Sequence, residues 1–115
     1  MKKQRRGQPR NNLAFYLAVS DANGSELGRL VDISEGGFQI MRDRPLPVGG
    51  LYQVRIHHPE WADSELDLRV QARAMWSRPS YNPELYDTGF QLVAPDAAQL
   101  ETIRALTDLM GFRQG

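Results

Sequence analysis

Two short stretches carry side chains able to do chemistry. Arg5-Arg6-Gly7-Gln8-Pro9-Arg10 places three guanidinium groups within six residues. A guanidinium is a planar fork that pairs bidentately with phosphate and with the O6/N7 edge of guanine, and it stacks on purines. The second stretch, Asp32-Ile33-Ser34-Glu35-Gly36-Gly37, joins two apparent strands. The Asp32 carboxylate is an acceptor pair suited to the adjacent N–H donors of a guanine Watson–Crick edge. Ser34 can bond a base or a phosphate, and Gly36 and Gly37 let the backbone approach a ligand closely. The same residues also suit an ordinary turn in which Asp32 and Ser34 bond their own backbone. With two acidic residues and no cation, this turn would repel a phosphate by itself. It reads as the base-contacting half of a site whose positive charge comes from the arginines.

Other candidates carry less. His57 and His58 are the only histidines, and adjacent strand residues point to opposite faces, so they do not form a metal pair. Asp63, Glu65, Glu84 and Asp87 have no identifiable nucleophile or base partner, which argues against an enzyme. Glu101 and Arg104 are expected to form a solvent-facing pair on a helix. Trp76, by alternation on the face of Val70 and Ala72, is expected at the core or its rim.

The 115 residues suffice for one domain, 41% of them are hydrophobic, and no apolar run is long enough to cross a bilayer. The charged N-terminus has no apolar segment behind it and does not read as a signal peptide. Cysteine is absent, which excludes disulfides and thiolate metal sites, and a cytoplasmic location is expected. Net charge is zero but unevenly spread. Lys2, Lys3, Arg5, Arg6 and Arg10 lie in a stretch of ten residues without an acid, so the rest of the chain is net acidic. A basic arm on an acidic body disfavours general nucleic-acid binding and favours a local anion site.

The elements that must hold these parts are legible as alternation and turn signals. Residues 1–12 read as a flexible arm, and 13–115 as the folded domain. Leu13–Val19 is apolar throughout, consistent with a buried strand or a helix turn. Asn23-Gly24 signals a hairpin into a strand at Gly28–Val31. Phe38 and Ile40 share one face of the next strand, and Arg42–Pro47 is a loop. Tyr52, Val54 and Ile56 point inward from a fourth strand; Leu66, Leu68, Val70, Ala72, Ala74 and Trp76 share a face of a fifth. Ser77–Tyr86, with two prolines, is expected as a long hairpin loop before a last strand at Thr88–Val93. Asp96 and Gln99 form a capping box for a helix over about 96–110, with Leu100, Ile103, Leu106 or Thr107, and Met110 as its apolar stripe and Gly111 as C-cap. The order predicts an all-β fold with a terminal helix, a six-stranded antiparallel barrel.

On these residues the chain resembles the PilZ domain family. The family's arginine-x-x-x-arginine motif matches Arg6-Gly7-Gln8-Pro9-Arg10, and its Asp/Asn-x-Ser-x-x-Gly motif matches Asp32-Ile33-Ser34-Glu35-Gly36-Gly37, in the same order and over essentially the whole chain. The resemblance implies a PilZ-type (split) β-barrel with a C-terminal α-helix and a non-enzymatic bacterial receptor for cyclic di-GMP. It also implies that Arg6 and Arg10 clamp phosphate and guanine, that Asp32 and Ser34 hold the base, and that Gly37 permits close approach. Arg5, just before the motif, implies a ligand bound as a stacked, intercalated pair. Trp76 corresponds to a tryptophan that lies near the ligand in similar proteins. Closure of the arm would signal to a downstream protein not identifiable from sequence, with no metal and no membrane span. The rival readings are a PilZ-like interaction adaptor that binds no nucleotide and a small single-stranded nucleic-acid binder that stacks bases on Tyr81 and Tyr86.

Overall fold

The computed structural model describes residues 17–58 and 67–110. The chain forms six strands and a helix: β1 (Ala18–Ser20), β2 (Glu26–Ile33), β3 (Gly37–Arg42), β4 (Leu51–His57), β5 (Leu68–Pro79), β6 (Tyr86–Leu92) and α1 (Ala97–Met110). The strands close into a barrel in the order β1-β2-β3-β6-β5-β4, with β4 returning to β1 and every pairing antiparallel. Closure leaves no open sheet edge. This is the all-β barrel with terminal helix that alternation and turn signals predict.

Period-2 alternation places the core. Leu30, Phe38, Ile40, Val54, Ile56, Leu68, Val70, Ala72, Ala74 and Phe90 all point inward and are buried. Phe38 and Phe90 stack with ring centroids 4.7 Å apart, and Tyr52 meets Phe90 edge-on at 5.8 Å. The β1–β2 hairpin turns on Gly24, at φ 85°, while the Asp21 carboxylate accepts bonds from the amides of Asn23 and Ser25 at 2.9 and 3.0 Å.

The helix packs against β2 and β5 and adds Ile103 and Leu106 to the barrel's core cluster. Its capping box is formed as the sequence indicates: Gln99 N–H donates to the Asp96 carboxylate at 2.7 Å, and Asp96 N–H donates to the Gln99 side chain at 2.8 Å. Ile103 and Leu106 are fully buried, each burial contributing about 1.5–3 kcal/mol. Thr107 is half-buried beside them and donates to the Ile103 carbonyl, so the Leu106-or-Thr107 ambiguity resolves to Leu106 as the core residue. The Met110 side chain, Gly111, Leu66 and the expected strand residues 13–16 lie outside the described residues. No helix among the described residues is long and apolar enough to cross a membrane.

Two boundaries differ from expectation. β2 continues through Asp32 and Ile33, so the turn proper is only Ser34–Gly36. β5 and β6 reach past Ser77 and back to Tyr86, which leaves Ser80–Leu85 as the loop. Pro79 tolerates this because it is the last strand residue, where a missing donor costs least. A half-buried hydroxyl pair holds the extension: Ser77 Oγ and Thr88 Oγ1 lie 3.0 Å apart, and Ser77 accepts a bond from Leu46 N–H at 3.1 Å.

Candidate functional site

The turn after β2 is positioned by an irregularity in the sheet. Pairing steps from Leu30 opposite Ile40 to Asp32 opposite Gln39, which leaves Val31 as an extra residue in β2. The step turns Asp32 out to solvent while Ile33 stays buried. Asp32 Oδ1 accepts from Ile33 N–H at 2.9 Å. Ser34 N–H donates to the Gly37 carbonyl at 2.8 Å, and the Ser34 hydroxyl sits within long contacts of Gly36 N–H (3.3 Å) and Gly37 O (3.4 Å). The backbone bonding of an ordinary Asx or Ser turn is therefore present, but it leaves both side chains exposed with acceptor capacity unused.

For Gly37 the barrel supplies a packing reason of its own. A Cβ on Gly37 would collide with the carbonyl oxygen of Phe90 on β6, so the β3–β6 ladder itself requires glycine there. A Cβ on Gly36 would meet nothing within 4 Å.

A second irregularity sets Trp76. β5–β6 pairing steps from Ala74 opposite Phe90 to Trp76 opposite Gly89, and Met75 bulges out to 50% exposure. Trp76 consequently leaves the face it would share with Val70 and Ala72. The expectation of a core or rim position on that face is corrected: the indole lies on the outer face of the sheet, half-buried, against Gly89, where any Cβ would run into its ring. The Arg78 guanidinium carbon sits 4.4 Å from the ring centroid.

These bulges bring Asp32, Gln39, Gly89 and Trp76 into one row across β2, β3, β6 and β5. The row runs along an open groove of about 210 Å³ that Ser34, Gly37 and Met75 also line, while Gly36 does not. That volume is below the roughly 300–1,000 Å³ typical of pockets that enclose a drug-sized ligand. The groove suits one planar ring with the rest of a ligand outside. Its lining contains a carboxylate, a hydroxyl and an amide but no cation. Sequence reasoning does not single out Gln39 or Met75, because only the barrel register shows which outward residues of β3 and β5 stand beside Asp32.

One ion pair departs from expectation. Arg104 pairs with Glu35 of the turn, Nε to Oε2 at 2.7 Å, and not within the helix with Glu101. Both partners are more than half exposed, and the Glu35 carboxylate holds the Arg104 guanidinium above its ordinary pKa. The pair offsets one of the two negative charges near Ser34 and ties the turn to α1, as does a 3.5 Å contact from the Thr107 hydroxyl to Ile33 O.

Arg5, Arg6 and Arg10 lie outside the described residues. The described chain begins at Leu17, whose carbonyl accepts a bond from Leu30 N–H at 2.9 Å, two residues before Asp32 in β2. Among the described residues no group of three or more His, Asp or Glu side chains could hold a metal ion.

Comparison with known proteins agrees with this architecture. No curated protein matches the chain significantly. Among solved structures, YcgR from Escherichia coli in complex with c-di-GMP superposes with a TM-score of 0.63 at 16% identity, covering 85% of this chain. This chain spans 42% of that YcgR chain. The PilZ domain of YcgR with c-di-GMP gives 0.61 at 16% identity, covering 87% of this chain and 85% of that one. The MrkH–c-di-GMP complex of K. pneumonia gives 0.62 at 21% identity, covering 93% and 53%. These likenesses establish the barrel with its terminal helix as a shared fold. The family model for the PilZ domain extends over residues 4–109, from ahead of the arginine pair to the last turns of α1. With both the sequence model and the barrel in agreement over nearly the whole chain, this protein belongs to the PilZ domain family.

Proposed function

We propose that the chain is a cyclic di-GMP receptor without catalytic activity. The observation that supports this most is the groove: a carboxylate, a hydroxyl and an outward indole meet there, with no cation among the lining residues. Such a wall is matched to a guanine edge and face but not to phosphate, so a nucleotide needs positive charge from elsewhere. Arg6 and Arg10 supply it, with Asp32 and Ser34 reading the base, Trp76 bordering it, and Gly36 and Gly37 shaping the turn. Structures of E. coli YcgR and K. pneumonia MrkH, both solved with c-di-GMP, share this fold and make that dinucleotide the ligand to test.

In this reading Arg5 supports a second, intercalated ligand molecule. Ligand neutralises the guanidiniums and draws the arm over the groove, and a partner protein reads the altered surface. Chemical-shift mapping tests the placement. Cyclic di-GMP is expected to move the amide signals of Ser34, Gly37, Gln39 and Gly89 and the Trp76 indole N–H, with much weaker binding after Asp32→Ala. Shifts clustered on the opposite β4 surface would contradict it.

A further inference from the structure

Between the carboxylate and the indole of the groove stands a carboxamide whose hydrogen-bonding capacity is unused. Gln39 is the direct cross-strand partner of Asp32 on one side and of Gly89 on the other, and Gly89 in turn faces Trp76. Its neighbours Phe38 and Ile40 are buried in the core, so Gln39 points outward, where it is half-buried and lines the groove. Directly opposed side chains of an antiparallel pair have Cβ atoms about 4.5–5.5 Å apart, so one planar ring can span Asp32 and Gln39 together. The Gln39 side chain makes no hydrogen bond among the described residues. The other side-chain donors of the lining are already engaged. The Ser34 hydroxyl faces the Gly37 carbonyl at 3.4 Å, and the nitrogen edge of the indole lies on Gly89.

Resting on the receptor reading above, we propose that Gln39 is a specificity-determining residue that donates to the O6 of a guanine held by Asp32. Guanine presents N1–H and N2–H side by side, with the O6 acceptor next to N1–H. The Asp32 carboxylate takes the two donors, and the carboxamide N–H of the adjacent strand meets O6. The pair then covers the whole Watson–Crick edge. Without Gln39 the O6 carbonyl would leave water for the groove without a replacement donor, which disfavours binding. Adenine fits the pair less well: its N1 carries a lone pair where guanine has N1–H, and that lone pair would face the Asp32 carboxylate. Because the carboxamide is neutral, it supplies the donor without neutralising the carboxylate opposite, as a lysine or arginine at this position would.

The test is a titration of the full chain, wild type and Gln39→Met, with two ligands: cyclic di-GMP, and its analogue carrying 2-aminopurine in place of guanine, which lacks O6. Gln39→Met keeps the length of the side chain and removes its polar end. It is expected to weaken cyclic di-GMP roughly three- to tenfold and to leave affinity for the analogue within about twofold of wild type. Unchanged affinity for cyclic di-GMP overturns the proposal, and so does an equal loss for both ligands, which would assign the effect to packing. A second reading uses the wild type alone. The Gln39 carboxamide resonances, assigned by their absence in Gln39→Met, are expected to move on saturation with cyclic di-GMP; resonances that stay in place overturn the contact. Absence of wild-type binding overturns the receptor reading and the Gln39 role with it, whereas wild-type binding indifferent to Gln39→Met overturns the Gln39 role alone.

Discussion

Gly36 and Gly37 are sequence neighbours under different constraints. Gly37→Ala would drive a methyl group into the Phe90 carbonyl oxygen, and relief requires the β3–β6 ladder to separate. Its expected cost is about 2–4 kcal/mol, read as a lower urea midpoint, while Gly36→Ala should stay within about 0.5 kcal/mol of wild type. Equal stability of the two variants would contradict the packing explanation. A second single-residue effect lies at the start of β5. Asp67 accepts two bonds from Arg55, at 2.9 and 2.8 Å, with its side chain 16% exposed. The Arg55 hydrogen bond, chiefly, holds the Asp67 pKa below its usual carboxylate value. A carboxylate depressed in the folded state stabilises at pH values above its unfolded pKa, and that contribution is lost as pH falls through the folded pKa. Asp67→Asn should therefore cost about 1 kcal/mol at pH 7, and the gap from wild type should close in strong acid, as read by urea denaturation at both pH values. A gap that stays constant with pH would assign the loss to packing.

Among the elements, α1 is fastened by its capping box and by two buried side chains. Asp96→Ala is expected to cost about 1 kcal/mol, seen as a lower thermal midpoint, because Gln99 N–H loses its acceptor. The cap, the strand faces and the Asn23-Gly24 hairpin are local patterns, and the sequence displays them openly. The bulges at Val31 and Met75 are different. Each is one residue out of register with a partner strand, a relation no single strand's alternation contains. Extrapolating the period of β5 past Ala74 therefore assigns Trp76 to the wrong face. The longer β5 was hidden for a similar reason: Pro79 reads as a strand breaker, and only pairing with Tyr86 shows that it occupies a strand end. The Glu35–Arg104 bond joins residues far apart in sequence, so helix spacing points instead to Glu101. Asp32, Ser34 and Gly37 were legible as a motif. Their meeting with Trp76 in one groove needed the barrel.

At the scale of the whole molecule, a closed barrel gives the groove a rigid wall, and the chain beyond its first ten residues is net acidic. In the proposed reading, recognition is divided between a fixed base-reading surface and a separate source of positive charge. Neither half should suffice: the wall alone lacks a cation, and the arginines alone lack selectivity for guanine. Salt dependence separates the two contributions, because phosphate contacts weaken with ionic strength far more than base contacts do. Isothermal titration calorimetry with cyclic di-GMP tests the division most directly, with the wild type compared with Arg6→Ala/Arg10→Ala and Asp32→Ala. Saturable binding by the wild type at micromolar protein, severely weakened by either the arginine pair or the Asp32 substitution, is the predicted result. No wild-type heat of binding, or affinity unchanged in both variants, would contradict it.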